Sequence, residues 1–385
     1  MPGKHPMVID INGFDAGRIE RGYRYEAFLP TCINARWQMH DQNIPGLLEE
    51  ASRLLGELNA FSQLIPNVDF FIQMYVAKEA VSSNRIEGTQ TSLEEALQNL
   101  HDIAPERRDD WQEVNNYIKA AGVSLKNMSE LPLSNRLIRQ AHEILLTSAR
   151  GEHKQPGAFR TSQNWIGTSL ANATFIPPRH EHVPDLMSDM EKFMHSKDVN
   201  LPHLVRIAII HYQIETIHPF LDGNGRLGRL LITLYLVYFG LLQKPSLYLS
   251  DFFARNKEAY YDRLMAVRTD NKLSEWIQFF LIGVQETARH SITVFREIAR
   301  IRAFIEAETM PQFQGRKLKN AQTLMHDLYG SPVMTNNTVA ALLGVNHNVA
   351  AALVKDFAAN GILKEITGRY RNKVFIFEEY LKLFW

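Results

Sequence analysis

The stretch that decides the fold is His218-Pro219-Phe220-Leu221-Asp222-Gly223-Asn224-Gly225-Arg226-Leu227-Gly228-Arg229. An apolar run over residues 208–217 leads into it, and another over residues 230–239 leads out. This pattern predicts a helix, a polar turn and a second helix that begins near Gly225 and ends at Gly240. Glycines let the turn fold closely, so the first N–H groups of the second helix can bind an anion, most naturally a phosphate.

The side chains of this stretch suit the handling of phosphate groups. Asp222 offers a hard oxygen ligand, and Mg²⁺ is often held by one or two carboxylates together with substrate phosphates. Arg226 and Arg229 are three residues apart, so they share a helix face and can both reach phosphate oxygens. His218 precedes a proline, which disfavours helical geometry, and a neutral imidazole there could accept the proton of an attacking hydroxyl.

The same stretch resembles the signature of the Fic family, H-P-F-x-[D/E]-G-N-G-R-x-x-R, at every fixed position. Residues 154–160 (KQPGAFR), 164–167 (NWIG) and 173–178 (ATFIPP) are similar to the segment that leads into the family's target-binding flap. Residues 82–88 (SSNRIEG) resemble the family's inhibitory motif, [S/T]-x-x-x-E-[G/N], in the version that precedes the catalytic core. The resemblance extends over about residues 20 to 290.

The resemblance implies a mainly α-helical fold, with a Fic-type helical core and a β-hairpin flap. Family members typically transfer AMP from ATP to a protein hydroxyl. The expected partners are therefore ATP and a Ser, Thr or Tyr side chain of a target protein or of the chain itself. His218 would be the catalytic base, and Asp222 would hold Mg²⁺.

In the inhibitory motif, Glu87 would pair with Arg229 and occupy the arginine that otherwise holds the γ-phosphate. Ser83 lies four residues before Glu87, on the same helix face. The resemblance also implies a set of residues at the nucleotide: Glu87, Asn164, Trp165, Ile166, Gly167, Asp222, Gly223, Asn224, Gly225, Arg226, Leu227, Gly228, Arg229, Tyr260 and Tyr261.

Two features beside the central stretch bear on substrate binding. Two short β-prone pieces within residues 164–178 predict a hairpin, and its exposed edge could pair with an extended target segment. Tyr260 and Tyr261 belong to a segment that packs by the adenosine in the family, although core aromatics would show the same pattern. Relatives can have an asparagine where this chain has Arg268, so the sequence does not define the details of the nucleoside pocket.

Three alternatives stay open at this stage. His211, Glu215 and His218 fall on one helix face and could bind a metal, but this would leave the glycines and arginines that follow unexplained. Another phosphotransfer on the same fold, of a phosphoryl group, UMP or phosphocholine, would use the same histidine. A regulator that binds DNA through its C-terminal part, with a Fic-like sensor core, is the third.

Composition narrows the class of protein without naming a partner. The chain has 385 residues, which suggests two or three domains, and its 42 basic and 42 acidic side chains give no net charge. Cys32 is the only cysteine, so an intramolecular disulfide and a thiolate metal cluster are excluded. With no signal-peptide pattern and no apolar run of membrane-spanning length, the expectation is a cytoplasmic protein without membrane contact.

Three parts are predicted along the chain: an N-terminal helical region with the inhibitory motif (residues 1–105), a catalytic core (106–290), and a linker helix with a winged-helix domain (291–385). Residues 1–28 look irregular because glycines interrupt any periodicity. A capping box is expected at residues 91–94, before a third helix. Apolar periodicity predicts helices over residues 44–64, 69–86, 111–125, 135–146, 184–195 and 202–217.

The C-terminal part shows a compact pattern after a candidate linker at residues 310–315. Helix, glycine turn, helix and two β-prone pieces predict a winged helix-turn-helix module. Acidic residues dilute its basic ones, so protein contacts are favoured over DNA, and a second copy of the chain is a further candidate partner. The basic residues near the second helix are Lys355, Lys364, Arg369, Arg371 and Lys373.

Overall fold

The computed structural model describes residues 8–22, 25–64, 68–147, 152–368 and 373–385, and the fold is mainly α-helical, as predicted. The helices are, in chain order, α1 (Ile44–Leu64), α2 (Val68–Glu87), α3 (Leu93–Ala96), α4 (Arg108–Asn127), α5 (Asn135–Leu145), α6 (Val183–His195), α7 (His203–Ile217), α8 (Asn224–Tyr238), α9 (Ser250–Arg255), α10 (Lys257–Asp270), α11 (Leu273–Phe304), α12 (Gly315–Leu328), α13 (Asn336–Leu343), α14 (His347–Ala359) and α15 (Glu378–Leu381).

The strands are short and form small separate sheets. In chain order they are β1 (Val8–Asp10), β2 (Gly17–Arg21), β3 (Glu26–Pro30), β4 (Arg36–Gln38), β5 (Ile166–Gly167), β6 (Ala173–Phe175), β7 (Val333–Thr335), β8 (Lys364–Glu365) and β9 (Val374–Ile376). β1 pairs with β4 in parallel, β2 with β3 and β5 with β6 are antiparallel, and β9 lies between β7 and β8.

Helices α7 and α8 form the centre of the molecule, because almost every residue of both is buried. Both runs that flank the central turn are rich in apolar residues, as expected for helices that are buried on most sides. The long helix α11 packs along α1 and against α7. Gly240 follows α8 with φ of 73°, as predicted for a residue beyond a helix end.

The prediction that residues 1–28 are irregular was wrong over the described part, which contains β1, β2 and most of β3. β1 pairs with β4, far along the chain, and the β2–β3 hairpin donates a hydrogen bond from Phe28 N to Ile176 O (3.0 Å). Contacts this distant leave no local periodicity, so packing between segments decided β1 and the position of the β2–β3 hairpin. Residues 1–7 and 23–24 lie outside the described part.

The capping box is shifted by one residue from its predicted place. Ser92 caps α3 by accepting a hydrogen bond from Glu95 N (3.2 Å), and the Glu95 side chain accepts from Ser92 N (2.9 Å). The S-x-x-E spacing of this pair fits the motif, whereas the predicted start at Thr91 puts Glu94 in the third position.

The C-terminal part contains the predicted helix, glycine turn and helix as α13, Gly344 and α14, followed by β8 and β9. α12 and β7 precede them and were not predicted. The candidate linker at residues 310–315 includes Met310 and Phe313, which are both buried. The predicted boundary at residues 290/291 falls inside α11, and Arg369 and Arg371 lie outside the described residues.

Over the described ranges, no single helix is long and apolar enough to cross a membrane. Helices α13 and α14 together have the length and apolar composition of a membrane span, but a bend of 112° separates them.

Candidate active site

The turn between α7 and α8 is built from two residues in the left-handed region. His218 ends α7 with φ of 50°, and Gly223 precedes α8 with φ of 74°. The Asn224 side chain closes the turn, since its Oδ1 accepts from Phe220 N and its Nδ2 donates to Phe220 O, both at 2.9 Å. Left-handed backbone at a residue other than glycine is uncommon and is often found at functional sites.

The His218 imidazole is oriented as a neutral base. Its Nδ1 lies 3.3 Å from Glu215 O, and a carbonyl can only accept, so Nδ1 carries the proton and Nε2 is the basic nitrogen. Burial lowers the pKa of His218 to about 4, with Arg268 and Arg160 contributing in the same direction. The ring is therefore uncharged at neutral pH and able to take a proton.

Arg229 is held by the helix that carries the inhibitory motif. Its Nη2 donates to Glu87 Oε1 (2.6 Å) and to Ser83 O (3.0 Å), and its Nε donates to Ser83 Oγ (2.9 Å). The Arg229 side chain is 1% exposed and the Glu87 side chain 37% exposed. Burial raises the pKa of the Glu87 carboxyl, but Arg229 outweighs this and holds that pKa below its ordinary value.

The Glu87 carboxylate also sits at the start of α8. A methyl group placed on Gly225 would lie 2.5 Å from Glu87 Oε1 and 3.0 Å from Arg229 Nη1. Only a residue without a side chain fits there, and the first turn of a helix attracts negative charge. A carboxylate of the chain itself thus lies at the helix N-terminus where the sequence predicts a phosphate.

Arg226 and Asp222 form a second set of contacts at this helix start. Arg226 Nη1 donates to Glu113 Oε2 (3.0 Å), and its Nη2 is 3.6 Å from Asp222 Oδ1. Asp222 Oδ1 also accepts from Gly223 N (2.6 Å), and the Asp222 side chain is about half exposed. The two arginines of the motif therefore have different partners, although both belong to one helix.

The fit of Mg²⁺ to these residues depends on Asp222. Among the described residues, no group of three or more His, Cys, Asp or Glu side chains could hold a metal ion. A partly exposed single carboxylate beside a phosphate site suits Mg²⁺, which commonly takes one or two carboxylates and completes its shell with phosphates and water. The residues present fit this ion only together with a phosphate ligand.

Comparison with known proteins relates two parts of the chain to one family. Residues 46–126 match the family described as Fic/DOC family N-terminal, and residues 132–236 match the Fic/DOC family. Over these residues the chain carries a Fic/DOC N-terminal domain followed by a Fic/DOC domain.

Curated relatives match part of the chain. A protein adenylyltransferase Fic of Aedes aegypti is 30% identical over 160 residues, which are 40% of this chain and 29% of the relative. A probable protein adenylyltransferase of Aquifex aeolicus (strain VF5) is 31% identical over 138 residues, which are 34% of this chain and 40% of the relative. The chain thus matches less than half of the length of either.

Solved structures show the same fold. A Fic family protein from Desulfovibrio desulfuricans G20 has a TM-score of 0.53 at 21% identity, over 88% of this chain and 96% of that one. A Fic domain containing signaling protein from Bacteroides thetaiotaomicron VPI-5482 has a TM-score of 0.52 at 17% identity, over 66% of this chain and 97% of that one. At these identities the likeness concerns the fold alone.

The hairpin predicted as the flap is present as β5 and β6. Trp165 precedes β5 and is 42% exposed, and Ile166 and Gly167 form the strand. Asn164 is buried, and its Nδ2 donates to His218 O (3.1 Å) and Phe220 O (2.9 Å). Asn164 therefore ties the hairpin to the Fic motif, while Trp165 is the accessible side chain of this group.

The remaining predicted residues divide between core and surface. Leu227 is buried in the core, and Gly228 lies against the Glu215 carboxyl, because a methyl group there would be 2.5 Å from Glu215 Oε1. Tyr260 is fully buried, whereas Tyr261 is 42% exposed. Of the two tyrosines, Tyr261 alone has a side chain that a ligand can readily reach.

The metal alternative on α7 finds no support in the contacts of His211. Its Nδ1 lies 3.0 Å from Gly228 O and therefore donates, and its Nε2 accepts from the Tyr260 hydroxyl (2.9 Å). Burial lowers the pKa of His211 to about 3. Both ring nitrogens are engaged, so this histidine is a neutral member of the core.

Sequence reasoning gave no role to two residues that hold the motif in place. Arg160 Nε donates to His218 O (2.9 Å), and its Nη2 donates to Pro178 O (2.5 Å), so it joins both ends of the hairpin segment to the base. His142 stacks on Phe220 with ring centres 3.7 Å apart. Arg160 belongs to the Fic-like segment at residues 154–160 without any sign of this role, and His142 has no local signal that distinguishes it.

Proposed function

We propose that this chain transfers AMP from ATP to a hydroxyl of a protein, and that Glu87 inhibits the transfer. The observation that carries the proposal is the position of the Glu87 carboxylate, which pairs with Arg229 at 2.6 Å and lies against Gly225 at the start of α8. It occupies both the guanidinium and the helix N-terminus that would bind a phosphate. The relatives named protein adenylyltransferase make ATP the nucleotide to test.

The reaction assigns the base role to His218. A Ser, Thr or Tyr oxygen of the target forms a bond to the α-phosphorus of ATP, and its proton passes to His218 Nε2. The bond between the α-phosphorus and the bridging oxygen of the β-phosphate breaks, and pyrophosphate leaves with the electron pair. The neutral imidazole, fixed through its Nδ1 by Glu215 O, is ready for this proton.

The other residues of the motif act by holding the triphosphate. The N–H groups at the start of α8 and the guanidinium of Arg229, once released from Glu87, stabilise phosphate oxygens. Asp222 would hold the Mg²⁺ that screens the charge of the departing phosphates. Positioning of this kind supplies most of the catalysis in phosphoryl chemistry.

The hairpin would present the target. β5 lies at an edge of the two-stranded sheet that it forms with β6, whereas Ile176 O, directly after β6, already accepts from Phe28 N. An extended segment could add to such an edge through main-chain hydrogen bonds, with little dependence on its side chains. Since Asn164 and Arg160 tie this hairpin to the His218 carbonyl, the segment would lie near the base.

The test is AMP incorporation from labelled ATP, by wild type and by Glu87→Gly, into the chain itself and into a cell lysate. Glu87→Gly should raise transfer, because it frees Arg229 and the helix start. The double variant Glu87→Gly with Arg229→Ala should lose the gain, a non-additive result that identifies Arg229 as the route of inhibition. Glu87→Gly with His218→Ala should lose about 10²–10⁴-fold or more in rate while it still binds ATP.

Mass spectrometry of the modified protein decides the transferred group. An added AMP supports the proposal, whereas an added phosphate, UMP or phosphocholine would replace AMP by another group on the same fold. Equal transfer by wild type and Glu87→Gly, or an active double variant with Arg229→Ala, would leave Glu87 as a surface glutamate without inhibitory function.

A further inference from the structure

Arg268 lies in the last turn of α10, between the end of α7 and the β5–β6 hairpin. Its Nη2 donates to Glu215 O and its Nε donates to Thr216 Oγ1, both at 3.1 Å. Its guanidinium carbon lies 3.9 Å from the ring centre of Phe175 in β6. One side chain thus contacts both the helix end that carries His218 and the hairpin.

The contact with α7 involves the carbonyl that orients the base. Glu215 O accepts from His218 Nδ1 and from Arg268 Nη2. The last carbonyls of a helix lack partners within the helix, and a cation there is favourable to the helix dipole. Arg268 therefore fixes the acceptor that sets the proton of His218 on Nδ1.

The contact with the hairpin is equally direct. A guanidinium at this distance over an aromatic ring is attracted by the partial negative charge of the ring face. Phe175 is buried, is the register partner of Ile166 in β5, and packs on Phe28 with ring centres 6.0 Å apart. A shift of β6 would therefore displace Phe175 from Arg268.

We propose that Arg268 is a positioning residue that couples the β5–β6 hairpin to the end of α7, so that a target segment on the hairpin and the imidazole of His218 keep a fixed relative position. The effect of Arg268 on catalysis rests on the proposed function. The effect of Arg268 on the order of the hairpin does not depend on that function.

Hydrogen exchange tests the structural part without any transfer assay. In Arg268→Met, the amides of residues 166–175 should exchange about tenfold faster. An increase of this size is expected because the variant loses one cation–π contact and two charged hydrogen bonds. Arg268→Lys, which keeps the charge but loses the planar fork, should recover part of the protection. The matched control is Arg263→Met, on the same helix, whose guanidinium pairs with Glu275 instead.

The pH profile of transfer tests the coupling to the base. The charged groups that act on His218 are Arg268 and Arg160, which disfavour the imidazolium, and Glu87, which favours it. Loss of the Arg268 charge raises the pKa of His218. In the Glu87→Gly background, the acid limb of the transfer rate should therefore move to higher pH, while the KM for ATP stays unchanged. Arg263→Met should leave both unchanged.

Unchanged exchange in the hairpin of Arg268→Met would overturn the proposal. So would a raised KM for ATP with an unmoved acid limb, which would place Arg268 in the nucleotide site instead. If no variant transfers AMP, the proposed function fails, and the exchange comparison alone then decides whether Arg268 orders the hairpin.

Discussion

Glu215 is a buried acid at the centre of the site. One of its carboxyl oxygens, Oε1, has no hydrogen-bond partner among the described residues, and the carboxyl lies against Gly228. Burial raises the pKa of Glu215 to about 7, although Arg229 acts in the opposite direction. A carboxyl of this kind is more stable in the folded chain when it is neutral.

The pH dependence of stability should therefore change in Glu215→Gln. Because the folded pKa lies above the unfolded one, the stability that neutral Glu215 contributes is present below about pH 4.5 and is lost as pH rises through about 7. Wild type should lose at most about 3 kcal/mol relative to Glu215→Gln across this window. Urea unfolding of both chains at pH 5 and pH 8 measures the difference. A constant difference would contradict the raised pKa.

At Asp222 the prediction concerns the metal. Asp222→Asn can still accept from Gly223 N but loses the charge that Mg²⁺ requires. In the Glu87→Gly background, Asp222→Asn should lower transfer by about two orders of magnitude or more. A chelator in excess should lower transfer by the Glu87→Gly variant to the same extent. Undiminished transfer in the chelator would show that the site works without a metal.

Among the elements, α2 is the helix that carries Glu87 to the site. Glu79, Ser83 and Glu87 follow one face of this helix at intervals of four residues. Glu79 accepts from the Tyr117 hydroxyl (2.9 Å) and from Ser250 N (3.2 Å), so it joins α2 to α4 and α9. The helix that delivers Glu87 to Arg229 is therefore fixed along its length by buried polar contacts.

The end of α2 has a further contact. Lys257 Nζ donates to Ile86 O (2.6 Å), one of the carbonyls that a helix end leaves without a partner. Lys257→Met should weaken the hold on Glu87 by about 1 kcal/mol and raise basal transfer about fivefold.

The matched control is Lys244→Met, because Lys244 pairs with Asp69 in the first turn of the same helix. It removes an equal charge far from Glu87 and should leave transfer at the wild-type level. If both variants raise transfer alike, general loosening of α2 and not the contact at Ile86 controls Glu87.

At the scale of the whole molecule, the C-terminal part packs on the same helix. Phe71 of α2 lies 5.3 Å from Tyr329, and Tyr75 lies 5.3 Å from Phe384, measured between ring centres. Phe384 is buried and comes one residue before the end of the chain. Helix α2, which carries Glu87, thus begins in an aromatic interface with the C-terminal part and ends at Arg229.

This interface predicts that the parts melt together. Phe384→Ala removes a buried ring and should cost about 3 kcal/mol or more, so calorimetry should show one transition, shifted to lower temperature. Trp385→Ala is the control, because Trp385 is 58% exposed and should leave the midpoint unchanged. Two transitions, of which only one shifts in Phe384→Ala, would instead show that the C-terminal part unfolds as an independent unit.

Much of the architecture around the motif is encoded locally. The apolar runs before and after the central turn predict α7 and α8, and the glycines predict the turn, because helical periodicity and backbone freedom are properties of neighbouring residues. The inhibitory motif likewise predicts that Glu87 meets Arg229, although 142 positions separate them. In that case the family resemblance supplied the long-range information that periodicity lacks.

Tertiary structure alone decided which residues support the base. Arg160, Asn164 and Arg268 hold the carbonyls around His218 from two distant segments of the chain. The sequence gives no sign that these three side chains bind the carbonyls near His218. Their roles depend on which helix ends and strands pack together, because a buried carbonyl without a partner is costly and takes whichever donor the fold brings to it.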